Sequence, residues 1–413
     1  MREMKDSGIE WAGVIPNTWN INKGKYFMEL LTRPTLETDE VITCFRDGEV
    51  TLRSKRREEG FTVSLTEAGY QGIEIGDLVV HGMDGFAGSI GISDSRGKAT
   101  PVLNVLDTEQ NKRYMMYLMR TMAYCELFLS LATGIRVRTC DTNWKKLREI
   151  DYILPTIPEQ KAIADFLDEQ CAEIDSLISD IQSQIEALEE YKRSVITEAV
   201  TKGLDPDVEM RNSGVQWIGE IPTHWTLIRI GSLYGLRTQK VSDIDYPPLS
   251  VTKMGVLPQL DTVAKTNAHD DRKLIVKGDF VINSRSDRRG SCGISDYTGS
   301  VSLINTVLFP ITEMNPRYYN WYFHTVGFAD EFYRWGHGIV DDLWTTGWQD
   351  MKNILISVPP LDEQQRIADY LDSKCAEIDN IITEKKQQIE TIEEYKKSLI
   401  FEYVTGKKLS LIH

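Results

Sequence analysis

The chain says the same thing twice. MKDSGIEWAGVIPNTW at residues 4–19 returns as MRNSGVQWIGEIPTHW at 210–225, and EQKAIADFLDEQCAEID at 159–175 returns as EQQRIADYLDSKCAEID at 363–379. Both echoes lie about 205 positions on, while the long stretches between them hardly match. One frame has been copied and its inserts have diverged. Such a chain must fold as two equivalent scaffolds presenting two different surfaces.

The 413 residues are too many for one ordinary core and fit two domains. Hydrophobic content of 41% with 26% charge is that of a globular protein. No apolar run of about 18 residues could span a membrane, and the N-terminus lacks a signal-peptide apolar region, so a cytoplasmic protein without a membrane role is expected. Cys44, Cys125, Cys140, Cys171, Cys292 and Cys375 form no C-x-x-C pair, which predicts reduced thiols rather than disulfides or zinc. The net charge of −15 argues at first against nucleic acid. Its location changes that reading: residues 157–204 carry about −7 and 357–413 about −3, whereas the divergent inserts are close to neutral.

Two long helices are predicted. Ile174, Ile178, Ile181, Ile185, Leu188 and Val195 alternate steps of four and three with a gap at Lys192, and Ile378, Ile382, Ile389, Ile392 and Leu399 repeat the pattern with Lys385 and Lys396 interrupting. That is a heptad seam. Thr156 with Glu159, and Asp362 with Gln365, read as capping boxes, and Gly203 and Gly406 as stops. Each helix should run about 40 residues, or roughly 60 Å. So narrow an apolar stripe needs a partner of its own kind, and the other copy is the obvious one. Connectivity favours an antiparallel pair with the inserts at opposite ends. A parallel pair would need some 20 linker residues stretched back about 60 Å.

Each insert reads as a mixed α/β domain with a twisted sheet and helices around 112–131 and 316–333. Asp77 and Asp279 follow glycines at equivalent places and are expected to shape turns. The equivalent loops HGMDGFAG (81–88) and SRSDRRG (284–290) differ in chemistry. Arginine forks suit phosphate oxygens and guanine edges. The candidate DNA-binding residues are therefore Arg53, Lys55, Arg56, Arg57, His81, Arg136 and Arg138 in the first insert and Lys253, Arg285, Arg288 and Arg289 in the second.

Catalytic motifs are missing. Tyr246-Pro247-Pro248-Leu249 and Val358-Pro359-Pro360-Leu361 lack the flanking residues of an adenine methyltransferase, Gly82, Gly85 and Gly88 precede no long helix, no P-loop occurs, and the six histidines have no metal-ligand spacing.

The segments SGIEWAGVIPNTW and SGVQWIGEIPTHW, the helix starts EQKAIADFLD and EQQRIADYLD, and the helix ends EEYKRSVITEAVTKG and EEYKKSLIFEYVTGK resemble the specificity (S) subunits of type I restriction-modification systems. The resemblance covers the frame of both halves. It implies an α+β fold: two mixed α/β target-recognition domains in pseudo-two-fold arrangement, separated by an antiparallel coiled coil. The expected segments are 1–156 (first target-recognition domain), 157–204 (first helix), 205–356 (second domain) and 357–413 (second helix and tail). It implies double-stranded DNA as ligand, read as a bipartite asymmetric site. Two M subunits would supply adenine-N6 methylation with S-adenosylmethionine, and R subunits ATP- and Mg-dependent translocation and cleavage; this chain itself would bind no cofactor or metal and catalyse nothing. By the same resemblance the Trp11 and Trp217 segments and the acidic helices would meet M subunits and the opposite domain, while Trp19 and Trp225 are expected as core anchors. Two rivals remain: an autonomous DNA-modifying enzyme, and a coiled-coil scaffold without a DNA role. Activity of the purified chain with S-adenosylmethionine, and a gel shift of its complex with a methyltransferase partner, separate them.

Overall fold

A computed structural model describes residues 3–57, 67–131, 142–259, 271–338 and 344–408. The chain divides into two compact units, residues 1–181 with 387–413, and 182–386. Each unit therefore holds one insert, the near part of one long helix and the far part of the other.

In the first unit the insert opens on strand Asn20–Lys23 and closes on Asp151–Leu154, paired antiparallel. Thr226–Arg229 and Leu355–Val358 do the same in the second. An insert is thus an excursion that starts and ends at one ladder. Within it lies a four-stranded antiparallel sheet, ordered Met28–Leu30, Leu103–Thr108, Leu78–His81, Ile90–Ile92 in the first unit. The second unit repeats it with Tyr234–Leu236, Asn305–Pro310, Phe280–Asn283 and Cys292–Ile294. Diverged sequences have kept one topology because the buried faces remain apolar: Leu78, Val80, Ile90 and Leu106 face one core, Phe280, Ile282, Cys292 and Leu308 the other.

Asp77 and Asp279 shape turns. Asp279 accepts from Val276 N at 2.8 Å and from Arg237 at 2.6 and 2.8 Å; Asp77 accepts from Glu74 N at 2.8 Å and pairs with Arg33. The helices of the inserts are each broken in two. Lys112–Tyr124 is followed by Leu127–Ser130, with Glu126 at a positive φ of 60° between them. Pro316–Phe323 gives way to Val326–Arg334 because Thr325 caps a new start, its hydroxyl accepting from Phe328 N at 3.3 Å.

The long helices run Ile157–Lys202 and Leu361–Val404, 46 and 44 residues. Ile181, Ile185, Val195, Ile378, Ile382 and Leu399 are buried, and Ile174, Ile178, Leu188, Ile389 and Ile392 half-buried, while the intervening positions are largely exposed. The lysines that interrupt the pattern are half-buried on the seam and bind across it. In the second unit Lys192 reaches Asp379 at 2.7 Å and Lys385 reaches Gln184 at 2.6 Å; in the first, Lys396 reaches Asp175 at 2.6 Å. Phe166 also stacks on Tyr403 in the first unit, so in each unit partner numbers fall on one helix as they rise on the other and the helices run antiparallel.

The helix ends are tied into each unit by a tyrosine. Tyr114 donates to Val404 O at 3.2 Å and Tyr318 to Val200 O at 3.1 Å, satisfying carbonyls that a last helical turn leaves open. Gly203 and Gly406 follow at φ +80° and +71°, the left-handed stops expected.

The starts differ from expectation. Glu159 reaches back to Thr156 N at 3.3 Å, but the Thr156 hydroxyl also turns to that carboxylate rather than to the helix backbone. Asp362 makes no box at all: the helix already opens at Leu361, and Gln365 binds Asn315 Nδ2 and Asp369. Both starts are held by a buried glutamine at the equivalent position, Gln160 and Gln364. Gln160 donates to Pro155 O and accepts from Asn111 N; Gln364 donates to Pro359 O and accepts from Asn315 N.

Trp19 and Trp225 are fully buried anchors, and Trp225 Nε1 donates to Glu363 at 2.7 Å. Trp11 and Trp217 also pack into the core of their own unit, Trp217 edge-on to Tyr322 and Phe328 at 6.0 and 6.3 Å.

Candidate nucleic-acid interface

Each insert carries a hairpin whose tip abuts the outer strand of the four-stranded sheet, the strand that follows the loop at 81–88 or 284–290. In the first unit this is Ile42–Cys44 with Val50–Leu52, and a Cβ at Gly91 would lie 1.9 Å from Gly48 O. In the second it is Leu249–Thr252 with Gly255–Pro258, where a Cβ at Gly293 would meet Gly255 Cα at 2.8 Å. Only glycine permits so close an approach of two backbones. The loops at 81–88 and 284–290, each with a single 3-10 turn, are thereby set beside the tips.

The basic cluster of the first unit separates into two kinds of residue. Arg53–Arg56 is one helical turn following the hairpin. Arg56 is taken up locally: it binds Asp47 and Glu49, both at 2.6 Å, and lies 4.1 Å over the Phe45 ring. Its hydrogen bond to the Asp47 carboxylate leads the effects that raise its pKa. Lys55 is held by Ser95 at 2.6 Å and Asp94 at 3.3 Å. Arg53 and Arg57 instead line a recess of about 310 Å³ together with His81, Arg46 and Asp84. Arg53 Nε donates to Thr43 Oγ1 at 2.9 Å, and burial lowers the pKa of its guanidinium. Arg46, which sequence reasoning missed, binds Asp84 at 3.0 Å and so links hairpin to loop. Its signal was the Asp47-Gly48 turn beside it, which marks a hairpin tip. Arg136 and Arg138 lie outside the described residues.

In the second unit Arg285, Arg288 and Arg289 are exposed on one short loop around Asp287. Arg289 also pairs with Asp330 and sits 4.9 Å over the Tyr333 ring, itself 5.8 Å from Trp344. These aromatics were not foreseen; they come from the second broken helix and a later segment. Lys253 is exposed on the neighbouring hairpin tip next to Met254, which is 86% exposed. The two units therefore offer unlike surfaces on like frames: a donor-lined recess in one, an arginine loop with an apolar tip in the other.

Among the described residues no group of His, Cys, Asp and Glu could hold a metal ion, and no helix is long and apolar enough to cross a membrane.

Residues 225–391 match the family model of the type I restriction modification DNA specificity domain. The chain is 27% identical over 322 residues to a putative type I restriction enzyme MjaX specificity subunit of Methanocaldococcus jannaschii, covering 74% of this chain and 71% of that one. It is 27% identical over 327 residues to the MjaVIII specificity subunit of the same organism, covering 72% of each. Among solved structures, a chain from a study of complex assembly and conformational transition in the type I R-M system superposes with a TM-score of 0.70 at 12% identity, over 95% of this chain and 99% of that one. The HsdS subunit from Thermoanaerobacter tengcongensis gives 0.51 at 13% identity, over 98% and 100%. The structural likenesses show the α+β fold alone. Residues 225–391 thus resemble a type I restriction modification DNA specificity domain, and over about three quarters of its length the chain is similar to specificity subunits of type I restriction enzymes.

Proposed function

We propose that this chain reads a bipartite, asymmetric site on double-stranded DNA, one half-site per insert, with the paired helices setting the gap between them. Two M subunits act as the adenine-N6 methyltransferase with S-adenosylmethionine, R subunits bring ATP- and Mg-dependent restriction, and this chain directs both in a cytoplasmic complex without binding those cofactors. Phosphate contacts fix each insert on the duplex and side chains in the major groove select bases. One turn of DNA is about 34 Å, so a helix pair of this length can hold two readers roughly a turn apart. The observation that carries the reading is the pairing of one topology with two chemistries: equivalent loops at 81–88 and 284–290, beside equivalent hairpin tips, carry different side chains.

The test is to map methylated adenines in cells with and without the gene. Loss of one motif made of two defined half-sites around an unread gap is expected. A contiguous motif, or a map that does not depend on the gene, would refute the proposal.

A further inference from the structure

The recess of the first unit holds one side chain whose hydrogen-bonding sense is fixed. His81 ends the strand Leu78–His81 and is half-buried; its Nδ1 accepts from the backbone N–H of Met83 at 3.2 Å and of Asp84 at 3.0 Å. A nitrogen that accepts carries no proton, so in the neutral ring the proton sits on Nε2 and makes that atom a donor. Burial lowers the pKa of the imidazole, Asp84 opposing and Arg46 adding to the effect, which keeps the ring neutral near pH 7. Arg46, Arg53 and Arg57 line the same recess, and Asp84, the one carboxylate among the described lining residues, is engaged by Arg46.

A site so furnished discriminates among base edges. In the major groove guanine presents two acceptors, N7 and O6, whereas adenine places an amino donor beside its N7 and cytosine offers an amino donor. Donors facing an amino group would leave both unpaired. A phosphate would satisfy the arginines, but a neutral imidazole adds little to an anion and much to a directed contact. The volume, about 310 Å³, is at the small end for a ligand cavity and suits one base edge.

We infer that the 310 Å³ recess reads a guanine in the half-site of the first insert, with the Nε2–H of His81 as a specificity-determining donor and Arg46 and Arg53 beside it. This rests on the DNA-reading function proposed above.

The decisive variant is His81→Asn in the assembled methyltransferase complex. An asparagine oxygen at the δ position can keep both backbone hydrogen bonds of the loop while the ε donor is removed. Mapping of methylated adenines should then show one guanine position in one half-site relaxed by roughly 10- to 100-fold in preference, the other half-site and the gap unchanged. His81→Gln, which returns an amide donor near the ε position, should restore part of that preference. An unchanged motif in His81→Asn overturns the inference while leaving the DNA-reading function standing. So does uniform weakening at all sites with a shallower salt dependence, the signature of a phosphate contact. A wild-type map without any gene-dependent motif would instead sink the function itself.

Discussion

Replacing Gln160 with leucine should loosen the first insert from its helix at little change in volume. Gln160 is fully buried; its Oε1 accepts from Asn111 N at 2.9 Å and its Nε2 donates to Pro155 O at 3.0 Å and to Gln110 Oε1 at 2.7 Å. Leucine fills the same space, so the cavity contribution is small. What remains is a backbone N–H and a backbone carbonyl without partners, at about 1–3 kcal/mol each, while the half-buried Gln110 can turn to water. A net loss of about 2–4 kcal/mol is expected, which is a large share of the stability of an ordinary domain. Gln364→Leu should cost a similar amount, because Asn315 N and Pro359 O are held in the same way. Urea denaturation gives the total, and amide exchange at Asn111 and Asn315 localises it. Asn111 caps the helix Lys112–Tyr124, so exchange should rise there before it rises in the sheet. The exposed Gln182→Leu serves as the control, within about 0.5 kcal/mol of wild type. If Gln160→Leu falls within that margin too, the reading of the glutamines as clamps is wrong.

Gly406→Ala should destabilise more than Gly203→Ala in thermal unfolding: both pay about 1–2 kcal/mol for a left-handed backbone, but only at 406 would the new Cβ meet Pro16 Cδ at 2.5 Å. Equal shifts would remove the steric argument. Inserting one heptad into both long helices should change the unread gap in the methylated motif and leave the half-sites as they are. Altered half-sites with a constant gap would contradict the spacing role. Burial pushes the thiols of Cys44 and Cys292 up to about 12, so at pH 8 little thiolate is present and both should resist alkylation. Among the described cysteines the half-buried Cys125 should react before Cys44 and Cys292 in peptide mapping, and modification of Cys292 at the same rate would count against a buried core around it.

The contrast between Arg56 and Arg46 shows where inference from the chain stops. RSKRR at 53–57 reads as one basic patch, yet Arg56 and Lys55 are paired with Asp47, Glu49 and Asp94, and Arg46 from the hairpin joins Arg53 and Arg57 in the recess. In the second unit the exposed arginine loop was legible as composition, but the Tyr333 and Trp344 rings beside Arg289 were not, because they arrive from residues some 45 to 55 positions later. His81 could be named a candidate from its loop; its donor sense required the positions of Met83 N and Asp84 N.

The sequence by itself determined the duplication, the two long helices with their seam and glycine stops, and the turn role of Asp77 and Asp279, since each is written in spacing along a single segment. Connectivity along the chain also pointed to the antiparallel pairing; tertiary structure alone decided which glutamine holds each helix start and which basic side chains line the recess. The physical reason is that a charge or a buried amide takes its partner from wherever the fold brings one. Lys396 finds Asp175, and Asn111 finds Gln160, across distances in sequence that no periodicity records.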